Sequence, residues 1–278
     1  MYKRQALHRT DADLQRLHAA APCLAVWDDH EIQDDYSGVW SKTPGITPDA
    51  FLRRRAAGYQ AFYEAMPIRR TRLDARLQMP IHRRIRYGRL AEFHMLDGRQ
   101  HRSRQPCSNG PGGGKGQIVT DTTCLDRLDP SRTFLGFEQE RWLYDGLARS
   151  EARWNILGQN LVMAGLQFGD GGPDTRYWTD TWDGFPAARD RLTQALAALK
   201  PANPVVLSGD YHSFWTNDVR LDSADPSSAV VATEFVGTSI TSTGPSYDGL
   251  MSAMPNNPQV KFFDCLLYTS DAADDTPC

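Results

Sequence analysis

No apolar run in this 278-residue chain approaches the ~20 residues that a membrane helix needs. Lys3 and Arg4 follow Met1, but no apolar stretch stands behind them, so no signal peptide is read. Neither sign of charge dominates. Lys+Arg 31 against Asp+Glu 34 leaves a net charge of −3, which supplies no basic field for nucleic acid. HExxH, GxSxG and paired CxxC patterns are absent, so zinc-protease, serine-hydrolase and dithiol readings lose their usual support. What remains is an ordinary globular composition, 40% hydrophobic and 23% charged, long enough for one large core.

Cysteine is scarce, and the positions matter more than the number. Cys107 and Cys124 bracket a Gly-rich loop. They are either a disulfide of an exported protein or two free thiols. Cys23 is expected to be a small buried hydrophobe. Cys265 opens Cys265-Leu266-Leu267-Tyr268-Thr269-Ser270-Asp271-Ala272-Ala273-Asp274-Asp275. That run back-translates into a transposase adapter used for sequencing libraries. Residues 265–278 are therefore expected to be an adapter-derived tail, and residues 1–264 the domain.

Periodicity and punctuation outline the elements. Residues 11–20 read as a helix ending at Pro22. Thr47-Pro48-Asp49 is a helix start, with a capping hydroxyl, Pro at the first position and an acid in the first turn. That helix should run to Pro67 and carry Arg53-Arg54-Arg55 on a solvated face. Residues 84–96 alternate around Gly88 as two strands and a tight turn. A Gly- and Pro-rich loop spans about 102–132, and a helix about 136–150, with Trp142, Leu143 and Leu147 inward. Residues 154–163 read as a strand and 180–184 as a turn. Pro186 opens a helix with Leu192, Leu196 and Leu199 at helical spacing, and strands follow at 205–207 and 230–235. Alternating strands and helices predict an α/β (α+β) fold, a mixed sheet flanked by helices.

Two acidic, histidine-bearing motifs carry the chemistry. Trp27-Asp28-Asp29-His30-Glu31 runs on to Asp34-Asp35-Tyr36 and follows the apolar Leu24-Ala25-Val26. So many carboxylates in one loop repel one another unless a cation or a set of donors compensates them. Gly209-Asp210-Tyr211-His212-Ser213 follows Val205-Val206-Leu207, and Asp210 and His212 share one side of an extended chain. Ligands of open α/β sheets sit at such strand ends. Oxygen donors with one or two imidazoles suit hard or borderline cations, which points to a metal-dependent hydrolase. A third block, Asp97-Gly98-Arg99-Gln100-His101-Arg102, offers a guanidinium fork for phosphate at Arg99 or Arg102, or else a structural Asp97–Arg99 pair. The run from Asn109 to Gly116 lacks the first Gly and the Ser/Thr of a phosphate-binding loop and reads as a plain loop.

These blocks resemble those of the PhoD-like alkaline phosphatases, in the calcineurin-like metallophosphoesterase superfamily. So do Leu135-Gly136-Phe137-Glu138-Gln139, Trp182-Asp183-Gly184-Phe185-Pro186 and Glu234-Phe235-Val236-Gly237-Thr238-Ser239-Ile240. The resemblance implies a calcineurin-like αββα sandwich and hydrolysis of phosphoric mono- and diesters by a metal-activated oxygen nucleophile. It implies Asp28, Asp35, Asp210 and His212 as metal ligands, His30 beside the leaving group and Arg99 on the phosphate. Iron and calcium are the implied metals, with manganese or zinc as other divalent choices. The implied partner is a phosphate ester, with no nucleic acid and no membrane span, and the implied compartment is periplasmic or extracellular. The family has Asn where this chain has Asp35, which adds a negative charge. The resemblance also implies an interior piece of a longer protein, without the upstream Gly-Asp strand that completes the iron site. Two alternatives stay open, a narrow-range phosphodiesterase or phospholipase and a metal-binding chain without turnover. The oligomeric state is not readable from the sequence.

Overall fold

The computed structural model describes residues 7, 9–66, 68–69, 73–108, 113–169, 172–240 and 242–265. The expected helix stop at Pro67, residues 109–112 of the Gly-rich run, Asp170 and the tail from 266 onward lie outside the described residues.

Helix α1 (Ala12–Ala20) starts where Asp11 accepts from the Asp13 and Leu14 amides. Helix α2 (Pro48–Ala65) starts at Thr47, whose hydroxyl accepts from the Ala50 amide at 3.3 Å. Strands β1 (Arg83–Tyr87) and β2 (Ala91–Met95) form the expected hairpin, with Gly88 at φ +55° in its turn. Strand β3 (Ile118–Val119) precedes helix α3 (Phe137–Arg149), strand β4 (Trp154–Gly158) and strand β5 (Tyr177–Trp178). Helix α4 (Pro186–Leu199), strands β6 (Pro204–Ser208), β7 (Phe214–Arg220) and β8 (Val230–Val236), helix α5 (Tyr247–Met251) and strand β9 (Val260–Asp264) complete the chain.

The main sheet has seven strands in the order β1-β2-β4-β6-β8-β7-β9, and β3 pairs with β5 in a small second sheet. Its middle, β2-β4-β6-β8, is parallel, and the outer pairings are antiparallel. Helices α3 and α4 cover one face. Leu143, Leu147, Leu192 and Leu196 pack there on Leu157, Val206, Val219 and Ala232. The opposite face alternates out of that core, and Leu207, Phe235 and Phe262 on it are exposed. The mixed sheet flanked by helices thus follows the expected fold class.

Several local expectations fail for identifiable reasons. Residues 24–26 form no strand. The Ala25 carbonyl accepts from Arg83 at 2.8 Å, and the Trp27 carbonyl accepts from Asn160, so side chains take the place of a neighbouring strand. Cys23, in the same segment, is free and exposed rather than buried. Arg53 and Arg54 are solvated as expected, but Arg55 is buried. It donates to the carbonyls of Gly38 at 2.8 Å and Gln100 at 3.1 Å. The strand expected over 154–163 stops at Gly158, and the chain then turns under the site. Strands β3, β5, β7 and β9 fall where the sequence predicts none. Cys107 and Cys124 are disulfide-bonded, which settles the open choice. Closing a loop of that 17-residue separation is worth about 3 kcal/mol.

Candidate metal centre

Four loops meet at the carboxyl ends of the parallel strands, and each is held there by bonds its own residues make. The first begins at Trp27. Its buried ring stacks on Tyr59 with centroids 3.7 Å apart and meets the Phe62 edge at 5.8 Å. Its Nε1 donates to Asp97 Oδ1 at 3.1 Å. The loop then curls like a helix start. The Asp28 amide donates to Glu31 Oε2 at 2.9 Å, and the Ile32 and Gln33 amides donate back to the Asp29 carbonyl at 2.8 and 2.7 Å. Asp29 Oδ2 accepts from the Asp35 amide at 2.7 Å, and Asp35 takes a left-handed φ of +56°.

The second loop leaves β2. Asp97 Oδ1 accepts from the amides of Arg99 at 3.0 Å and Gln100 at 2.9 Å, a tight Asx-type turn. A Cβ on Gly98 would lie 2.7 Å from Asn160 Oδ1 and 2.8 Å from the Phe134 ring, so the turn requires glycine. Arg99 is fully buried. Its Nε donates to Asp28 Oδ1 at 2.5 Å and its Nη1 to Asp180 Oδ1 at 2.9 Å, while Nη2 pairs with Asp180 Oδ2 at 2.9 Å. Asp210 Oδ2 and Asp29 Oδ2 lie 3.9 and 4.0 Å from the same nitrogen. Arg102 also serves Asp180, through the carboxylate at 2.7 Å and the carbonyl at 2.6 Å, and Gln105 adds a further donor.

The third loop leaves β4 at Asn160, and the fourth leaves β6 as Gly209-Asp210-Tyr211-His212. Asp210 and His212 are both left-handed, at φ +65° and +54°. Such conformations cost roughly 1–3 kcal/mol each and cluster at functional sites. Three of the four expected ligands, Asp35, Asp210 and His212, therefore carry backbone strain. His212 Nδ1 lies 2.7 Å from the Thr243 carbonyl. A proton there fixes the tautomer and leaves Nε2 as the lone-pair donor.

Carboxylate oxygens of Asp28, Asp29 and Asp210 lie within 4.8 Å of one another. Donor atoms of Asp29, His30 and Asp34 form a second such group. Asp35 and His212 belong to neither group, but both line the same cavity of about 300 Å³, with Asp210, Tyr211 and Trp178. Burial, and then the neighbouring carboxylates, raise the Asp28 and Asp210 carboxyls above their usual range, against the pull of Arg99. Burial pushes Asp35 up to about 7, with Asp180 and Asp34 adding to it. Several carboxyls thus crowd one another around a single shared guanidinium, a condition that a hard cation would relieve. The donor set fits the metal that the resemblance implies.

His30 stands at the rim, its side chain 73% exposed and its Nε2 3.6 Å from Asp34 Oδ1. Arg99 departs from expectation. It lies beneath the cavity rather than in its wall, with its fork spent on Asp28 and Asp180. The Asp97–Arg99 alternative survives only as a backbone contact. Asp180 and Asn160 were not anticipated as site residues. Asp180 meets Arg99 and Arg102 across 81 and 78 residues of chain. Its one local signal is the turn read over residues 180–184, which it opens and which does not mark it as a site residue.

Among relatives, alkaline phosphatase D of Bacillus subtilis (strain 168) is 39% identical over 266 residues, covering 94% of this chain and 43% of the relative. A solved structure titled "Structure of PhoD" superposes with a TM-score of 0.82 at 39% identity, covering 93% of this chain and 48% of that one. The chain thus spans about half the length of the relatives it matches. The PhoD-like phosphatase family matches residues 2–268. The chain belongs to the PhoD-like phosphatase family.

Proposed function

We propose that this chain carries the oxygen-rich metal centre of a metal-dependent phosphoric ester hydrolase. The observation behind this reading is the convergence of Asp28, Asp29 and Asp210 oxygens within 4.8 Å of one another at the strand ends, beside a cavity shared by Asp35 and His212. In this reading Asp28, Asp35, Asp210 and His212 hold metal. When bound, such ions neutralise phosphoryl charge and acidify a water. The Asp28 and Asp210 oxygens face the same point, and the Thr243 carbonyl orients the His212 ring so that Nε2 faces away from it. His30 stands exposed at the rim beside Asp34, where Nε2 can donate a proton to the departing alkoxide. Arg99 acts from below, fixing Asp28 rather than touching the ester.

Iron and calcium are the proposed metals; the oxygen-rich set favours calcium, and manganese or zinc are the other divalent candidates. The Cys107–Cys124 disulfide supports a periplasmic or extracellular site of action. No helix among the described residues is long and apolar enough to cross a membrane. The proposed substrate is a phosphate mono- or diester. The test is Asp210→Ala in the longer protein, assayed on both ester classes with and without added metal. Loss of at least 100-fold in turnover is expected. Retained metal-dependent turnover would sink the reading.

A further inference from the structure

One buried residue, through its side-chain amide and its own carbonyl, holds three of the loops that make the centre. Asn160 lies two residues beyond the end of β4 and is 4% exposed. Its Oδ1 accepts from the Gly98 amide at 3.0 Å, at the turn that presents Arg99. Its Nδ2 donates to the Trp27 carbonyl, which immediately precedes Asp28. Its own carbonyl accepts from the Gly209 amide at 2.8 Å, immediately before Asp210. Asp28, Arg99 and Asp210 come from distant parts of the chain, yet the backbone next to each ends on this one residue.

We propose that Asn160 is a positioning residue for the metal centre, setting the spacing between Asp28 and Asp210 by clasping the Trp27, Gly98 and Gly209 backbones. This inference rests on the reading of Asp28 and Asp210 as ligands. Both ends of the amide are used in a fixed sense, one as acceptor and one as donor. Aspartate would keep the acceptor for Gly98 but set an oxygen against the Trp27 carbonyl. Leucine would remove both bonds and leave a buried N–H and a buried C=O unanswered. Groups that orient ligands without touching the ion typically change metal affinity 10–100-fold when removed.

Asn155 supplies the control. It sits at the opposite end of β4, is fully buried, and spends Nδ2 on the Ala202 carbonyl at 2.8 Å, far from every ligand. Calcium and manganese affinities are to be measured by titration calorimetry on the wild type, Asn160→Asp, Asn160→Leu and Asn155→Leu. Thermal unfolding in EDTA is recorded for each. Asn160→Asp and Asn160→Leu should weaken metal binding 10–100-fold at a temperature where all remain folded. Asn155→Leu should lower the unfolding temperature and leave affinity within twofold. Metal affinity unchanged in both Asn160 variants, or weakened equally in Asn155→Leu, would overturn the inference. A wild type that binds neither ion would instead overturn the ligand reading, and this inference with it. A measurement on the wild type alone stands beside the variants should they not fold. Adding metal should slow hydrogen exchange at the Gly98 and Gly209 amides together, and protection at neither would also overturn the clasp.

Discussion

The floor and the rim of this centre are built from the same residue types and behave oppositely. In the floor, Asp180, Arg99, Arg102 and Gln105 are buried, and each Asp180 oxygen is met by a guanidinium. Burial alone would raise the Asp180 carboxyl, but Arg102 and Arg99 outweigh it and hold the group below its usual range. At the rim, Asp28, Asp35 and Asp210 share the one guanidinium of Arg99, which bonds Asp28 alone among them, and burial raises all three. The floor is a closed electrostatic lattice that needs no ion. The rim is an open one that a cation completes. Charge placed beneath a site can therefore fix its shape without supplying its chemistry, and the rim's cost in the metal-free chain is what makes metal binding favourable.

The largest break in that comparison lies in the floor. Asp180→Ala strands two buried guanidinium groups, and losing one member of a buried pair costs about 3–5 kcal/mol. Urea unfolding should show this loss with or without metal. Asp180→Asn, which keeps the shape and loses the charge, should fall between the variant and the wild type. An Asp180→Ala protein as stable as the wild type would mean that water, not the carboxylate, compensates the arginines.

At the rim the sign reverses. Saturating divalent cation should stabilise the wild type by RT ln(1 + [L]/Kd), about 2.7 kcal/mol at a hundredfold excess over Kd. Asp210→Ala should remove most of that gain. Asp210→Asn, which suits the left-handed φ of +65° and deletes the charge that burial disfavours, should in EDTA be no less stable than the wild type. A scan with and without metal separates the two regions directly. Asp210→Asn destabilised in EDTA would place Asp210 in the floor's class.

Much of this arrangement was legible in one chain because local signals coincide with it. The two acidic clusters announce themselves through carboxylates and imidazoles placed after apolar runs, and the resemblance singles out Asp28, Asp35, Asp210 and His212 within them. Helix α2 announces itself through Thr47-Pro48-Asp49, and β6 through its valines. The losses have a common cause, which is that the deciding partner is far away in sequence. Strand β7 alternates Trp215, Asn217 and Val219 inward, and Asn217 looks polar until Glu234 accepts from it at 3.0 Å. Residues 24–26 look like a strand until Arg83 claims the Ala25 carbonyl and Asn160 that of Trp27 just beyond. Arg99 looks like a phosphate ligand until Asp180 arrives from 81 residues downstream. The proposed metal ligands cluster in motifs, whereas the groups proposed to orient them are scattered.

The smallest predicted effect tests the rim's charge most finely. Asp35 is pushed from 3.8 up to about 7, by burial first and then by Asp180 and Asp34. A raised carboxyl means the folded protein keeps a proton that the unfolded chain has released. This group's contribution to stability is therefore present below about pH 4 and lost as pH rises towards about 7. Asp35→Asn removes the titration and should flatten the metal-free stability profile across that window. The difference should be on the order of 1 kcal/mol once screening at this partly open position is counted. With metal present the sense inverts, because protons and the cation compete for the same oxygens, so affinity should rise over the same window. Urea midpoints in EDTA near pH 4.5 and 7.5 measure the first effect. Equal changes in wild type and variant would show that Asp35 is already neutralised from within, and that the rim's open charge resides on Asp28 and Asp210 alone.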